Sequence, residues 1–157
     1  MKIEHSRTFS AGKIVAAKDI LVPYDDRDEV TDGFIKNYHQ KTPLKMGTSI
    51  TIALCVLGKN ESWTNVAREL RKDQWFGASL VEWQFYIQDK SNIKFGTVVL
   101  PGVRYRDDDL REWVPAVHHR TRIFLKNATE VSMKLSSSLA VEKQRTVLIK
   151  KLASPKR

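Results

Sequence analysis

The side chains in this chain best suited to chemistry are the adjacent pair His118 and His119, which could act as general acids and bases or as metal ligands. Neighbours on a strand point to opposite sides, so such a pair rarely shares one ion, and no cysteine or carboxylate cluster of recognised ligand spacing accompanies it. A structural or surface role is the expectation. The triplet Asp107, Asp108 and Asp109 suggests a divalent cation only superficially. It lacks the glycine and terminal glutamate of an EF-hand loop, and Arg106 and Arg111 flank it, so it reads as a solvated, self-neutralising loop. There is no phosphate-cradling glycine loop, no nucleophile elbow and no Cys/His pairing with a third member. The lone Cys55, between Leu54 and Val56, reads as a small buried hydrophobe and excludes a disulfide or a cysteine-based zinc site within the chain. The expectation is a non-enzymatic protein with no metal and no cofactor. A basic-surfaced hydrolase would instead need His118 or His119 to converge with carboxylates in a cleft.

What remains is electrostatic and aromatic chemistry. Lys and Arg number 27 against 18 Asp and Glu, a formal net charge of +9 over 157 residues. That balance favours a polyanionic partner, whether nucleic acid, an anionic membrane surface or an acidic protein, without choosing among them. Aromatics interleaved with cations can stack bases. Trp63, Trp83 and Phe85 fall on expected buried faces and are assigned to the core. Trp75, Phe76 and Trp113 lie in or beside loops and are the candidates for an exposed aromatic patch.

One small domain must position these groups, since the length suits a single core and is too short for two ordinary ones. Ile50, Ile52, Leu54 and Val56 recur at period two and predict a strand, as do Val81, Trp83, Phe85 and Ile87. Between them Asn60 or Ser62 caps a helix with apolar Trp63, Val66, Ala67 and Leu70. Pro23 holds Val22 extended, so Ile20 to Tyr24 reads as an arm or edge segment, followed by acidic Asp25, Asp26, Asp28, Glu29 and Asp32. Phe95 to Leu100 predicts a strand ended by Pro101-Gly102. Thr121 to Lys126 and Thr129 to Ser136 predict a hairpin bent at Asn127-Ala128. Val141 to Arg157 suits a last strand or an amphipathic helix. The expected fold is therefore a single α+β domain, a mostly antiparallel sheet packed with one or two helices, with flexible termini. Residues 1–40 form a partly extended N-terminal arm, 41–153 the globular domain and 154–157 a basic tail. No apolar run approaches the roughly 18 residues of a membrane span, and Met1 to Lys13 carries charges where a signal peptide needs an apolar stretch. A soluble protein able to lie on a membrane without crossing it is expected.

Several strings follow one another in a particular order: Ser49-Ile-Thr-Ile-Ala-Leu-Cys-Val, Trp63-Thr-Asn-Val-Ala-Arg-Glu-Leu with Trp75, and Trp83-Gln-Phe-Tyr-Ile. Val114-Pro115-Ala-Val-His-His-Arg120 and Thr129-Glu-Val-Ser-Met-Lys-Leu come after them. In order and spacing, over Thr48 to Ser138, the chain resembles the globular domain of rhabdovirus matrix proteins. It departs from the animal-virus members in lacking a lysine-dense N-terminal tail and a Pro-Pro-x-Tyr budding motif, of which Val22-Pro23-Tyr24 is a partial echo. Its compactness suits a plant-infecting member.

The resemblance implies a non-enzymatic viral matrix protein that self-associates head to tail, condenses the nucleocapsid and links it to the anionic inner face of the envelope during assembly and budding. The implied partners are a second copy, nucleoprotein-RNA, an anionic membrane surface and the viral glycoprotein tail. The implied location is the virion beneath the envelope, with host cytoplasm, membranes and nucleus as further sites. The candidate polyanion contacts are Lys2, Arg7, Lys13, Lys18, Lys143, Arg145, Lys150, Lys151, Lys156 and Arg157. Ile20, Leu21, Val22, Pro23 and Tyr24 are the candidate self-association segment. The alternative is a small basic viral nucleic-acid-binding protein, of silencing-suppressor or movement type, with no membrane assembly role.

Overall fold

The computed structural model describes residues 1–25, 27–38, 44–88, 96–133 and 144–152. Its elements are β1 (Lys2–Ser10), α1 (Ala17–Ile20), β2 (Val22–Pro23), α2 (Glu29–Asn37), β3 (Ser49–Gly58), α3 (Trp63–Lys72), β4 (Phe76–Gly77), α4 (Leu80–Tyr86), β5 (Thr97–Val99), β6 (Tyr105–Arg106), β7 (Glu112–His118), β8 (Arg122–Asn127), α5 (Ala128–Ser132) and β9 (Gln144–Leu152). The strands form one open sheet in the order β1-β3-β9-β5-β7-β8-β2, with β4 also on β9 and β6 also on β7. Two pairings, β5 with β9 and β2 with β8, are parallel.

This corrects the expected architecture. The sheet is mixed and nine-stranded, and five helices, rather than one or two, accompany it among the described residues. The cause is visible in β3. Ile50, Ile52 and Leu54 join one buried cluster and Ala53, Cys55 and Leu57 a second, so the central strand is covered on both faces. The first cluster draws in α1, α2 and α4 through Ala17, Phe34, Ile35, Trp83 and Tyr86. The second draws in α3 and α5 through Val66, Leu70, Ala128 and Val131. Residues 1–40 contribute β1, α1, β2 and α2 to this assembly. No helix among the described residues is long and apolar enough to cross a membrane.

The segment expected as a second strand from Val81 to Ile87 is instead helix α4. All seven residues from Leu80 to Tyr86 are buried, so alternation carries no information about which backbone they adopt. The helix is set by a reciprocal cap: the Ser79 side chain accepts from Val81 N–H, and the Glu82 carboxylate accepts from the Ser79 amide at 3.2 Å. The polar groups of α4 then bind other elements. The Trp83 indole N–H donates to the Arg120 carbonyl at 2.8 Å and the Tyr86 hydroxyl to the His5 carbonyl at 2.7 Å. The Gln84 amide both accepts from Val15 N–H and donates to the Val15 carbonyl. Burial, reinforced by the charge of Glu82, pushes the Tyr38 phenol up to about 12.

The expected hairpin also changes. β8 pairs with β7, and after it Asn127 accepts from Thr129 N–H and starts α5, with Glu130 in its first turn. Positions 134–136 of the expected strand lie outside the described residues. Other expectations hold in place: Ser62 caps α3 by accepting from Asn65 N–H, Pro23 sits in a two-residue edge strand, and Gln144–Leu152, the described part of the C-terminal segment, is a strand. Cys55 is buried, which is the main reason its thiol is pushed up to about 11.

Candidate functional site

The basic residues separate into those buried within the fold and those with exposed side chains. Arg145 is 7% exposed. Its guanidinium donates to the Val131 carbonyl at 3.0 Å and the Glu61 carbonyl at 2.8 Å, fastening the end of α5 and the entry to α3 to β9. Lys150, one face away, forms an ion pair with buried Glu82 of α4. Lys151 projects to the opposite side, 5.7 Å from the centre of the Trp75 ring. Lys2, Arg7, Lys13 and Lys18 are exposed, Lys2 in an ion pair with Glu4. Lys143, Lys156 and Arg157 lie outside the described residues. The nominated cations are thus not gathered on one patch.

Segment Ile20 to Tyr24 folds onto its own chain. Leu21 is buried, and the amides of Val22 and Tyr24 donate to the carbonyls of Thr121 and Ile123. Val22 and Tyr24 keep their side chains in solvent. The three nominated aromatics also separate. Trp75 packs partly on the second cluster, Phe76 is exposed on β4, and the Trp113 indole donates to Asp107 at 2.9 Å. That bond is the largest influence holding Asp107 below its usual range. The same carboxylate accepts from the amides of Asp109 and Arg111, while Glu112 accepts from Arg106 and Arg104, which lower it in that order. The acidic triplet is therefore a knotted turn on β6 and β7.

The two histidines come together in a way strand alternation does not anticipate. His118 ends β7, whereas His119 and Arg120 occupy left-handed conformations, φ 50° and 71°, in the turn to β8. The His118 and His119 ring centres are 3.8 Å apart. No group of three or more metal-ligating side chains exists among the described residues.

Sequence reasoning missed two surfaces that need the register to be seen. The first is the outer edge of β1. The Ala11 amide donates to Thr48 and the hydroxyls of Thr8 and Thr51 meet at 3.0 Å, so alternation along the ladder turns the N–H and C=O of Thr8 and Ser10 away from β3. Arg7, Thr8 and Ser10 are exposed, and a groove of about 460 Å3 lies between this run and the end of α4, lined by Phe9, Phe85 and Gln88. The ladder slips between Glu4 and Arg7, with His5 at φ 52°. The edge is therefore divided into two regular runs, Lys2 to Glu4 and the longer Arg7 to Ser10.

The second surface is a corner of the sheet where Tyr24, Thr97, His118 and Phe124 line an open cleft of about 300 Å3. Comparison with protein-family models, curated proteins and solved structures finds no match to this chain.

Proposed function

We propose that this chain is a matrix-type structural protein without catalytic activity, which associates with itself and bridges nucleoprotein-RNA to an anionic membrane surface. The observation that carries the reading is β1, which among the described residues ends the strand order, on a chain of net charge +9. A free strand edge is a template for pairing with a second chain, and native proteins normally blunt it. Here the irregularity between Glu4 and Arg7 divides the edge, and the outward N–H and C=O of Thr8 and Ser10 lie in the longer regular run, which favours pairing over a short stretch in one register. Exposed Lys13 and Lys18 lie in the following segment, where they would meet phosphates or anionic head groups through screened attraction. Self-association thus moves from the segment at Ile20 to Tyr24, which is engaged within its own chain, to the opposite end of the sheet.

The test is vesicle flotation across a salt series, with anionic and neutral lipid in parallel, together with sedimentation velocity. Salt-sensitive flotation with anionic vesicles and self-association at low salt support the reading. Thr8→Pro removes an outward amide while leaving the ladder to β3 intact, so it should abolish self-association through β1 and keep the monomer folded. A wild-type chain that stays monodisperse and ignores vesicles would overturn the assembly reading in favour of a nucleic-acid-binding protein alone.

A further inference from the structure

We infer that the corner formed by Tyr24, His118 and Phe124 with Arg122 and Lys126 is a stacking site for unpaired bases, with the two cations holding the adjoining phosphates. The inference deepens the proposed reading by naming the nucleic-acid chemistry this chain takes, but it uses none of the β1 edge.

The register builds the site. Thr97 of β5 lies opposite His118 of β7, and His118 opposite Arg122 of β8, giving one row across three strands. Along β8, Arg122, Phe124 and Lys126 alternate with Ile123 and Leu125, which belong to the first core cluster, so these three share the other face. Tyr24 follows directly on β2, whose Pro23 pairs with Ile123, and its ring stands edge-on to His118 at 5.7 Å and to Phe124 at 5.8 Å. The Thr97 hydroxyl and His118 Nδ1, 2.9 Å apart, fix the imidazole plane. The ammonium of Lys126 lies 6.0 Å from the Phe124 ring centre.

Aromatic rings fixed on a sheet with cations alongside are the arrangement by which single strands are held without sequence readout, because every base offers a flat apolar face. Tyr24 is 58% exposed, which a packing residue has no reason to be, while Phe124 and His118 are half-buried and form the floor. Charge selects the occupant. Arg122 is exposed and Lys126 half-exposed, and the carboxylate next to Tyr24, Asp25, is engaged with Arg27. An apolar peptide would suit the rings but leave the cations idle. A duplex would suit the cations but offer no free base face.

The experiment is fluorescence anisotropy with a labelled oligouridine of about 8 nucleotides, run under conditions where sedimentation shows a monomer, with inorganic polyphosphate as a competitor that has charge and no bases. Tyr24→Ala should weaken oligouridine about tenfold and leave polyphosphate unchanged. Arg122→Ala and Lys126→Ala should weaken both, each reducing the slope of log K on log salt by about 0.7. Tyr24→Ala with unaltered oligouridine affinity, or equal binding to a blunt RNA duplex of the same length, would overturn the site. Self-association and vesicle binding, measured separately, can survive that result, so the failure of the site is distinct from failure of the assembly reading.

Discussion

Replacing Lys150 with methionine separates a residue that serves the fold from one that serves a polyanion. The Lys150 ammonium meets Glu82, whose side chain is 1% exposed where that of lysine is 27% exposed. Methionine retains most of the aliphatic stem and removes the charge, leaving a buried carboxylate without its cation. Breaking a fully buried pair in this manner costs about 3–5 kcal/mol. Water reaches the lysine end, so the expected loss is about 2–4 kcal/mol. At this chain length that is a fall in Tm of about 5–15 °C. Glu82→Gln costs about 1–2 kcal/mol, because the amide oxygen still serves the cap at Ser79. The double substitution should recover about 2 kcal/mol relative to the sum of the two. The assay is urea unfolding of the four chains followed by tryptophan fluorescence. A Lys150→Met chain within about 0.5 kcal/mol of wild type, or strictly additive losses, would refute the reasoning and return Lys150 to the surface cations.

Arg145→Leu should cost about 2–4 kcal/mol in the same assay, since it strands the carbonyls of Val131 and Glu61 in a buried site; a neutral effect would mean that water satisfies them. Gly102→Ala should destabilise by about 3 kcal/mol or more, because its methyl would stand 2.5 Å from the Gly77 carbonyl and 2.7 Å from that of Ala78. Gly96→Ala, with nothing within 4 Å of the added carbon, is the control, and equal losses would count against the close approach. Asp107 is held below its ordinary value of 3.8 chiefly by the Trp113 indole. A depressed folded value means that its support of the turn is complete above about pH 3.8 and is lost as pH falls through the lower folded value. The Trp113 indole proton resonance should therefore hold steady down to that point and shift only below it, and Asp107→Asn should remove the acid transition; a midpoint at or above 3.8 would contradict the assigned bond.

Local signals in the sequence were sufficient where burial was one-sided. Helix α3 has apolar Val66 and Leu70 against exposed Arg68, Glu69, Arg71 and Lys72, so period and cap agree. They failed where burial was complete. In α4 the alternation of Val81, Trp83 and Phe85 reflects composition, since the intervening Glu82, Gln84 and Tyr86 are equally buried. The signal that could have decided it is Ser79 with Glu82 three residues on, a capping box. Asn127 with Glu130 marks the start of α5 in the same way, and an expected strand displaced it. The parallel pairing of β5 with β9 has no local signature, because it joins segments nearly fifty residues apart. The base-stacking corner shares this difficulty: Tyr24, Thr97, His118 and Phe124 come from four separate stretches of chain, and only the register makes them neighbours.

Covering the sheet on both faces limits where this protein can bind anything. The central strands present no open face, and two of the nominated cations, Arg145 and Lys150, are occupied by α3, α4 and α5. The net charge of +9 therefore overstates the charge available in any one contact. Among the described residues, the surfaces used by the proposals above are peripheral: an edge at β1, and a corner at the far end of the sheet where Tyr24, Phe124 and His118 still face solvent. Because these lie at opposite ends of the strand order, pairing at β1 leaves the stacking corner exposed on every copy. Two copies joined edge to edge through β1 would form a closed pair carrying two such corners, and its avidity for a long single strand would exceed that of one copy. On the proposed geometry, pairing at β1 and nucleic-acid binding at the corner would reinforce one another through the two linked sites, with no conformational change required.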